Sequence, residues 1–150
     1  MKNLRLLLAF GLLLVLGACQ KSVKLSEAGL IPLPQEITDG TGTFELTPEV
    51  GIRLVGKSDR LPALGTFLAE KLRPATGYAL PVSQDAGALV IELTSSGNPE
   101  AYRLTVSEEE VRISASGEAG LFYGIQTFLQ LLPVEITHTT TQEQDWILPQ

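Results

Sequence analysis

The fold is decided by residues 118–133, which read EAGLFYGIQTFLQLLP. Apolar side chains recur there at intervals of three and four, the period of an amphipathic helix, and proline cannot continue a helix at position 133. The sequence therefore predicts a helix over residues 118–132. Its expected apolar stripe consists of Leu121, Phe122, Ile125, Phe128, Leu129 and Leu132.

The same helix carries a second, small or polar face. Gly120 and Gly124 lie one turn apart, and each glycine costs a helix roughly 1 kcal/mol against alanine. A neighbouring backbone is therefore expected to approach closely there. Together with Tyr123 and Thr127, these glycines form a face that we expect to pack against another domain. A ligand site built from Tyr123, Gln126 and Gln130 is the weaker interpretation.

A hairpin precedes this helix. Residues 102–106 (YRLTV) and 111–115 (VRISA) alternate apolar and polar side chains, so each strand offers one apolar face to the core. The turn between them holds three glutamates, Glu108, Glu109 and Glu110. Their spacing is not that of a calcium loop, so we expect a solvated turn and no metal site.

An earlier helix is predicted from leucines at positions 61, 64, 68 and 72, with Ser58 or Asp59 as the cap. Pro74 and Gly77 place its end between residues 72 and 76. Short strands are expected at residues 43–46, 51–55, 80–82 and 89–93, the first two as a hairpin or a pair of edge strands. Residues 31–34 (IPLP) are expected to run extended along an edge.

The amino end has the layout of a bacterial lipoprotein signal. Lys2 and Arg5 precede an apolar segment at residues 6–16, and Leu-Gly-Ala then leads into Cys19, the only cysteine. The segment is too short for a membrane-spanning helix, which needs about 20 residues. We therefore expect residues 1–18 to be removed, lipid to be attached to Cys19, and residues 19–29 to form a tether. The alternative is an ordinary secretory signal with a free cysteine.

Composition excludes several classes of function. Without residues 1–18 the chain has 132 residues and a net charge of about −8, which disfavours nucleic acid as a partner. With Cys19 acylated, no thiol remains for a disulfide, a redox pair or a zinc site. His138, the only histidine, lies in a polar stretch and is expected to be solvated. No cofactor, metal ligand or substrate-binding residue is predicted.

Three motifs carry a resemblance to a known family. They are IPLPQ at residues 31–35, YRLTV at residues 102–106 and GLFYGIQTFLQLLP at residues 120–133. Together they resemble the N-terminal accessory domain of β-N-acetylhexosaminidases of glycoside hydrolase family twenty. The resemblance implies an α+β fold, with a mostly antiparallel β-sheet and two helices packed on one face, in a zincin-like arrangement.

The resemblance also implies a division of the chain. Residues 30–136 would form the accessory domain. Residues 137–150, with a WILP stretch at residues 146–149, would form the linker toward a (β/α)8 catalytic barrel. In the family that barrel removes terminal N-acetylhexosamine, using the substrate's own acetamido group as the nucleophile. A barrel of this kind takes about 250 residues, so no residue of this chain is expected to be catalytic.

Two alternatives remain open at this point. The chain could be a stand-alone lipoprotein module that binds glycan or protein without hydrolysis. It could also precede a barrel of another family, since similar accessory domains occur in α-glucuronidases and α-N-acetylglucosaminidases. In either case the expected location is the bacterial cell envelope. Gln20, in place of the aspartate associated with inner-membrane retention, favours the outer membrane.

Overall fold

A computed structural model of the protein describes residues 24–150. The predicted signal at residues 1–18, Cys19 and the first part of the predicted tether lie outside the described residues. Short 3₁₀ turns occupy Leu25–Glu27 and Val134–Thr137. The helices and strands of the described part are β1 (Thr43–Glu45), β2 (Ile52–Val55), α1 (Leu61–Thr76), β3 (Val82–Ser83), β4 (Leu89–Leu93), β5 (Tyr102–Val106), β6 (Val111–Ala115), α2 (Glu118–Leu131) and β7 (Ile147–Pro149).

Five strands form one mixed sheet in the order β3-β2-β4-β6-β5. The α+β class is confirmed, and the predicted hairpin is the antiparallel pair β5–β6. In place of mostly antiparallel pairing, β2 runs parallel to β3 and β4, and β4 runs parallel to β6. The connection from β4 to β5 skips one position in the sheet, and β6 then occupies that position between them. There β6 pairs antiparallel with β5 and parallel with β4.

Both helices cover the same face of this sheet. α1 contacts β2, β3 and β4, α2 contacts β4, β5 and β6, and the two helices contact each other. Strands β2 and β6 therefore bury every second side chain beneath the helices, as Ile52 and Leu54 of β2 show. The helices contribute fully buried side chains to the same core, among them Leu61, Leu68, Leu72, Leu121, Ile125 and Phe128.

The end of α1 follows the sequence signals, but its start does not, because Arg60 occupies the cap position expected for Ser58 or Asp59. α1 retains Pro74 in its last turn and ends at Gly77, whose φ of 71° is the left-handed conformation that glycine favours. No side chain caps the start of α1, but the Ser58 hydroxyl donates to Glu118 Oε1 over 2.7 Å and so ties the starts of both helices together. This hydrogen bond holds the pKa of Glu118 below its ordinary value.

The last strand does not belong to the main sheet. β7 pairs antiparallel with β1, so that Phe44 lies opposite Leu148, and the Leu46 amide donates to the Trp146 carbonyl over 2.9 Å. The expectation that β1 and β2 form a hairpin or a pair of edge strands is wrong, because β2 lies inside the five-stranded sheet. The division of the chain at residue 136 stays a prediction. Residues 137–150 nevertheless include two fully buried side chains, Trp146 and Leu148.

The proline-rich segment before β1 forms a loop and not the predicted extended edge. Residues 31–34 contain bends and no strand. The backbone amide of Ile31 donates to Gln130 Oε1 on α2 over 2.9 Å, so the loop is attached to a helix. Within residues 24–150, no helix has both the length and the apolar character needed to cross a bilayer.

Candidate functional site

The last of the three adjacent glutamates in the turn between β5 and β6 belongs to a group of ion pairs. Glu110 pairs with Arg53 over 3.2 Å and with Arg112 over 2.7 Å, and Arg112 also pairs with Glu92 over 2.8 Å. The two carboxylates raise the pKa of Arg112, with the hydrogen bond to Glu92 as the larger cause. Glu110 is therefore neutralised by its neighbours and is not free to bind a cation.

These ion pairs lie on the face of the sheet that the helices leave open. Val90 of β4 stands between Arg53 and Arg112 in the strand register and is almost fully buried. Arginine side chains cover such positions with their apolar stems and keep their charged ends in water. Paired charges thus cover the apolar part of the sheet face that the helices leave free. This argues against a large apolar partner there.

The described residues offer no metal site, and the cleft beside Ser116 is not a deep ligand pocket. No group of three or more His, Cys, Asp or Glu side chains among residues 24–150 could hold a metal ion. One shallow cleft of about 170 Å³ is present, smaller than the usual ligand pocket of about 300–1,000 Å³. No carboxylate, amine, guanidinium or imidazole lines it. Its lining consists of Thr94, Ser96, Gly97, Asn98, Ala101, Tyr102, Ser114, Ala115 and Ser116.

The two glycines of α2 face the protein's own sheet. A Cβ atom on Gly120 would overlap the Ala101 carbonyl oxygen, and one on Gly124 would overlap the Ile113 side chain. The close backbone approach expected from these glycines is confirmed. The expectation that this face packs against another domain is wrong for the glycines and for Thr127, which is buried.

Phe122 was expected in the buried stripe of α2 but is 40% exposed, and Tyr123 is 46% exposed. Because Gly120 and Gly124 occupy the side against β5 and β6, Phe122 is turned toward α1. Its ring lies 5.5 Å from that of Phe67, centroid to centroid, and 6.2 Å from that of Tyr123. Lys71 on α1 places its ammonium 5.5 Å from the centroid of the Phe67 ring. Aromatic rings from both helices thus form a half-exposed cluster.

The rest of this surface carries little charge. Residues 119–134 contain no Asp, Glu, Lys or Arg, although 19% of the whole chain is charged. Aromatic side chains with few charges are characteristic of the centre of protein–protein interfaces. We call this region the outer helix surface, formed by Phe67, Lys71, Phe122, Tyr123, Gln126 and Gln130.

Sequence reasoning predicted a docking face on this helix but assigned it to the wrong side. Tyr123 lies on the outer helix surface as expected, whereas Phe67, Lys71 and Phe122 were not assigned to it. One available signal was the absence of charge after Glu118. The spacing of four between Phe67 and Lys71 was another, since it places them on the same side of α1. The only predicted modification site, Cys19, lies outside the described residues.

Comparison with known proteins places this geometry in a family. The sequence model described as "Glycosyl hydrolase family 20, domain 2" matches residues 27–146. A β-hexosaminidase of Porphyromonas gingivalis is 31% identical over 137 residues, which is 83% of this chain and 17% of that protein. A β-hexosaminidase of Vibrio vulnificus is 32% identical over 111 residues, which is 71% of this chain and 12% of that protein.

A solved structure gives the same result. The N-acetyl-β-hexosaminidase of Streptomyces plicatus, in complex with Thio-NAglucal, superposes with a TM-score of 0.75 at 35% identity. The superposition covers 80% of this chain and 24% of that one. The chain thus spans less than a quarter of the length of each of these three relatives. Since the family model matches most of its residues, the chain belongs to glycosyl hydrolase family 20 and carries that family's domain 2.

Proposed function

We propose that this chain is the non-catalytic N-terminal domain of an exported lipoprotein β-N-acetylhexosaminidase, an enzyme that removes terminal N-acetylhexosamine from glycans. In this proposal the outer helix surface docks on a (β/α)8 catalytic barrel in the same polypeptide. The chemistry belongs to that barrel, and the present domain supports it.

The observation that carries the proposal is the outer helix surface itself. Phe122 and Tyr123 hold exposed aromatic rings on a stretch of α2 that contains no charged residue after Glu118, and Lys71 of α1 is the charged member of the surface. Burying an apolar side chain of this size contributes about 1.5–3 kcal/mol, which is available only if a partner covers it. The opposite face of the domain is closed by the ion pairs of Glu110. A partner therefore gains most by docking on the helices.

Family membership indicates which partner this is. The relatives named as β-hexosaminidases are much longer than the present chain, and the matched segment is one domain of that family. In family 20 the substrate's acetamido group supplies the nucleophile, and the reaction needs carboxyl groups placed around the scissile bond. Neither the small apolar site lined by Leu68, Ile91 and Phe128 nor the shallow cleft beside Ser116 has a carboxyl group in its lining.

Membrane attachment is the second part of the proposal. The lipoprotein signal ending at Cys19 supports export and acylation. Several acyl chains, at roughly 0.8 kcal/mol per buried methylene, would hold the enzyme firmly to a membrane. Gln20 favours the outer membrane as its location.

Two measurements test the proposal. The DNA downstream of codon 150 is sequenced, and an in-frame continuation encoding a catalytic barrel is expected. Nitrophenyl N-acetylglucosaminide is then offered to the full-length protein and to the 150-residue chain, and only the first is expected to release nitrophenol above a blank. A stop codon with no barrel would favour the stand-alone binding module. Turnover by the 150-residue chain would overturn the non-catalytic assignment.

A further inference from the structure

The most exposed large apolar side chains of the described chain lie in the proline-rich loop. Ile31 is 79% exposed and Leu33 is 74% exposed, and Pro32 and Pro34 alternate with them. Because proline restricts the backbone, the two side chains are presented with little conformational freedom to lose when a partner covers them. Such an arrangement favours binding.

The loop is held in a defined place. The Ile31 amide donates to Gln130 Oε1 over 2.9 Å, and the neighbouring Leu30 is buried in the core. At the base of the loop, the backbone amide and the hydroxyl of Ser26 donate to the Asp39 carboxylate over 2.9 and 2.7 Å. The loop is therefore attached to α2 through the Ile31 amide and to the core through Leu30.

The point of attachment belongs to the outer helix surface. Phe122, Gln126 and Gln130 follow one another at intervals of four, so they form one stripe along α2. Val134, 73% exposed, begins the 3₁₀ turn that starts three residues after the end of α2. Every exposed large apolar side chain of residues 24–150 thus lies on α2, in the turn that follows it, or on the loop bonded to it: Ile31, Leu33, Phe122, Tyr123 and Val134.

We propose that the loop of residues 29–35 extends the outer helix surface, and that the catalytic barrel covers both at once. Gln130 acts as a positioning residue, because its side chain holds the loop on the docking side of α2. This inference rests on the proposed function, since the same barrel is the partner in both.

Charge favours the barrel over a lipid surface as the occupant. Residues 29–35 contain no lysine or arginine, and the flanking Glu27, Glu36 and Asp39 outnumber the one flanking base, Lys24, so the loop and its surroundings are net acidic and would repel the anionic lipids of a bacterial membrane. The family match begins at residue 27, so the loop is part of the domain that the family shares.

Cysteine accessibility tests the inference in the full-length protein, in a Cys19→Ser background. Leu33→Cys reports on the loop, Tyr123→Cys on the outer helix surface, and Thr105→Cys on an exposed position of β5 as the control. Maleimide labelling, read by mass spectrometry at each site, is expected to be about tenfold slower at positions 33 and 123 than at position 105, because a covered site reacts only when it opens.

A second variant tests the positioning role. Gln130→Met removes the hydrogen-bond acceptor and keeps the side-chain length. It is expected to raise the labelling rate at position 33 several-fold and to leave position 123 slow. Gln84→Met, at an exposed position between β3 and β4 and outside the outer helix surface, makes the matched substitution and is expected to change neither rate. An unchanged rate at position 33 in Gln130→Met would overturn the positioning role.

Each remaining outcome is decisive. Fast labelling at position 33 with slow labelling at position 123 overturns this inference and leaves the proposed docking intact, whereas fast labelling at both overturns both. Protection of position 33 that requires vesicles of phosphatidylethanolamine and phosphatidylglycerol would identify a membrane as the occupant. Protection that requires a high protein concentration would identify a second copy. Either result would overturn the assignment to the barrel.

Discussion

The hydroxyl groups of Tyr102 on β5 and Thr127 on α2 form a hydrogen bond of 2.6 Å. This bond and the close approach of Gly120 and Gly124 to the sheet together fix the rotation of α2 about its own axis. Thr127 points toward the sheet, and Gly124, one turn earlier, lies against the Tyr102 ring. Gly120, Gly124 and Thr127 of the predicted small or polar face are therefore turned inward, and Phe122 and Tyr123 are left outside.

Replacing either glycine of α2 is expected to destabilise the domain. Alanine normally stabilises a helix by roughly 1 kcal/mol relative to glycine. Here the added methyl group would overlap Ala101 or Ile113, so we expect Gly120→Ala and Gly124→Ala to lower the free energy of unfolding by about 1–3 kcal/mol. Urea denaturation measures the change.

Gly65 of α1 provides a matched comparison for these two variants. A Cβ atom at position 65 would lie 2.8 Å from a Val82 methyl group and 2.9 Å from a Leu54 methyl group. Side-chain ends give way more easily than backbone, so Gly65→Ala should cost less than Gly120→Ala, which meets a carbonyl oxygen. A gain in stability for Gly124→Ala would contradict the close contact with β6.

A charge placed at position 125 is expected to unfold the domain. Ile125 is fully buried in the middle of α2, and Ile125→Asp would leave a carboxylate in the core without a partner. Circular dichroism of the 150-residue chain should show loss of the cooperative transition. Tyr123→Asp, two residues away and half exposed, should stay folded. In the full-length enzyme that same variant should weaken docking on the barrel.

The ion pairs of the open sheet face are expected to contribute modestly. Glu110→Gln removes the charge that pairs with Arg53 and Arg112, and half-exposed pairs are worth about 0–1 kcal/mol each. We therefore expect a small loss of stability in low salt that largely disappears near 1 M salt, where charges are screened within about 3 Å. Glu109→Gln, at a more exposed position of the same turn, is the control. A loss that is independent of salt would contradict this account.

The base of the proline-rich loop should open in acid. The hydroxyl and amide of Ser26 hold the pKa of Asp39 below its ordinary value, the hydroxyl being the larger cause. Its contribution is therefore complete above the unfolded-state pKa of about 4 and is lost as pH falls through the lowered folded-state pKa. The amide resonance of Ser26 should titrate in that range. Asp39→Asn should abolish this titration, and an unchanged resonance in the parent chain at low pH would count against the contact.

Cys19 is expected to carry lipid in the native host. Mass spectrometry of the processed amino terminus should find an acylated cysteine if the predicted signal at residues 1–18 is cleaved before Cys19, as the Leu-Gly-Ala-Cys sequence predicts. Cys19→Ala should leave an unprocessed or soluble protein. Cys19→Ala with an unaltered membrane fraction would contradict the signal assignment.

Most of the helices and strands could be predicted from the sequence, because local patterns determine them. α2 and the β5–β6 hairpin lie where periodicity and alternation place them, and β4 follows from a short apolar run between turns. Pairing could not be predicted in the same way. Nothing local in residues 43–45 indicates that their partner lies at residues 147–149, since a register over that distance depends on the closed core.

The location of the candidate site was only partly predictable. The amphipathic period gives the width of an apolar stripe but not which residue stands at its border. Phe122 fits the stripe in the sequence. In the structure Gly120 and Gly124 let their side of α2 pack closely against β5 and β6. Phe122 therefore faces outward and contacts Phe67. The contacts of α2 with β5, β6 and α1 therefore determine which of its side chains are exposed.

The ribbon of β1 and β7 affects how the domain is made. In synthesis from the amino end, β1 emerges about 100 residues before its partner, a delay of roughly 5–20 seconds at ordinary elongation rates. During that interval Phe44 has no cover from Leu148, and the edge of β1 is open to unwanted pairing. Three residues offer little edge to such a partner. A recombinant fragment that stops at residue 146, where the family match ends, would make this exposed intermediate permanent.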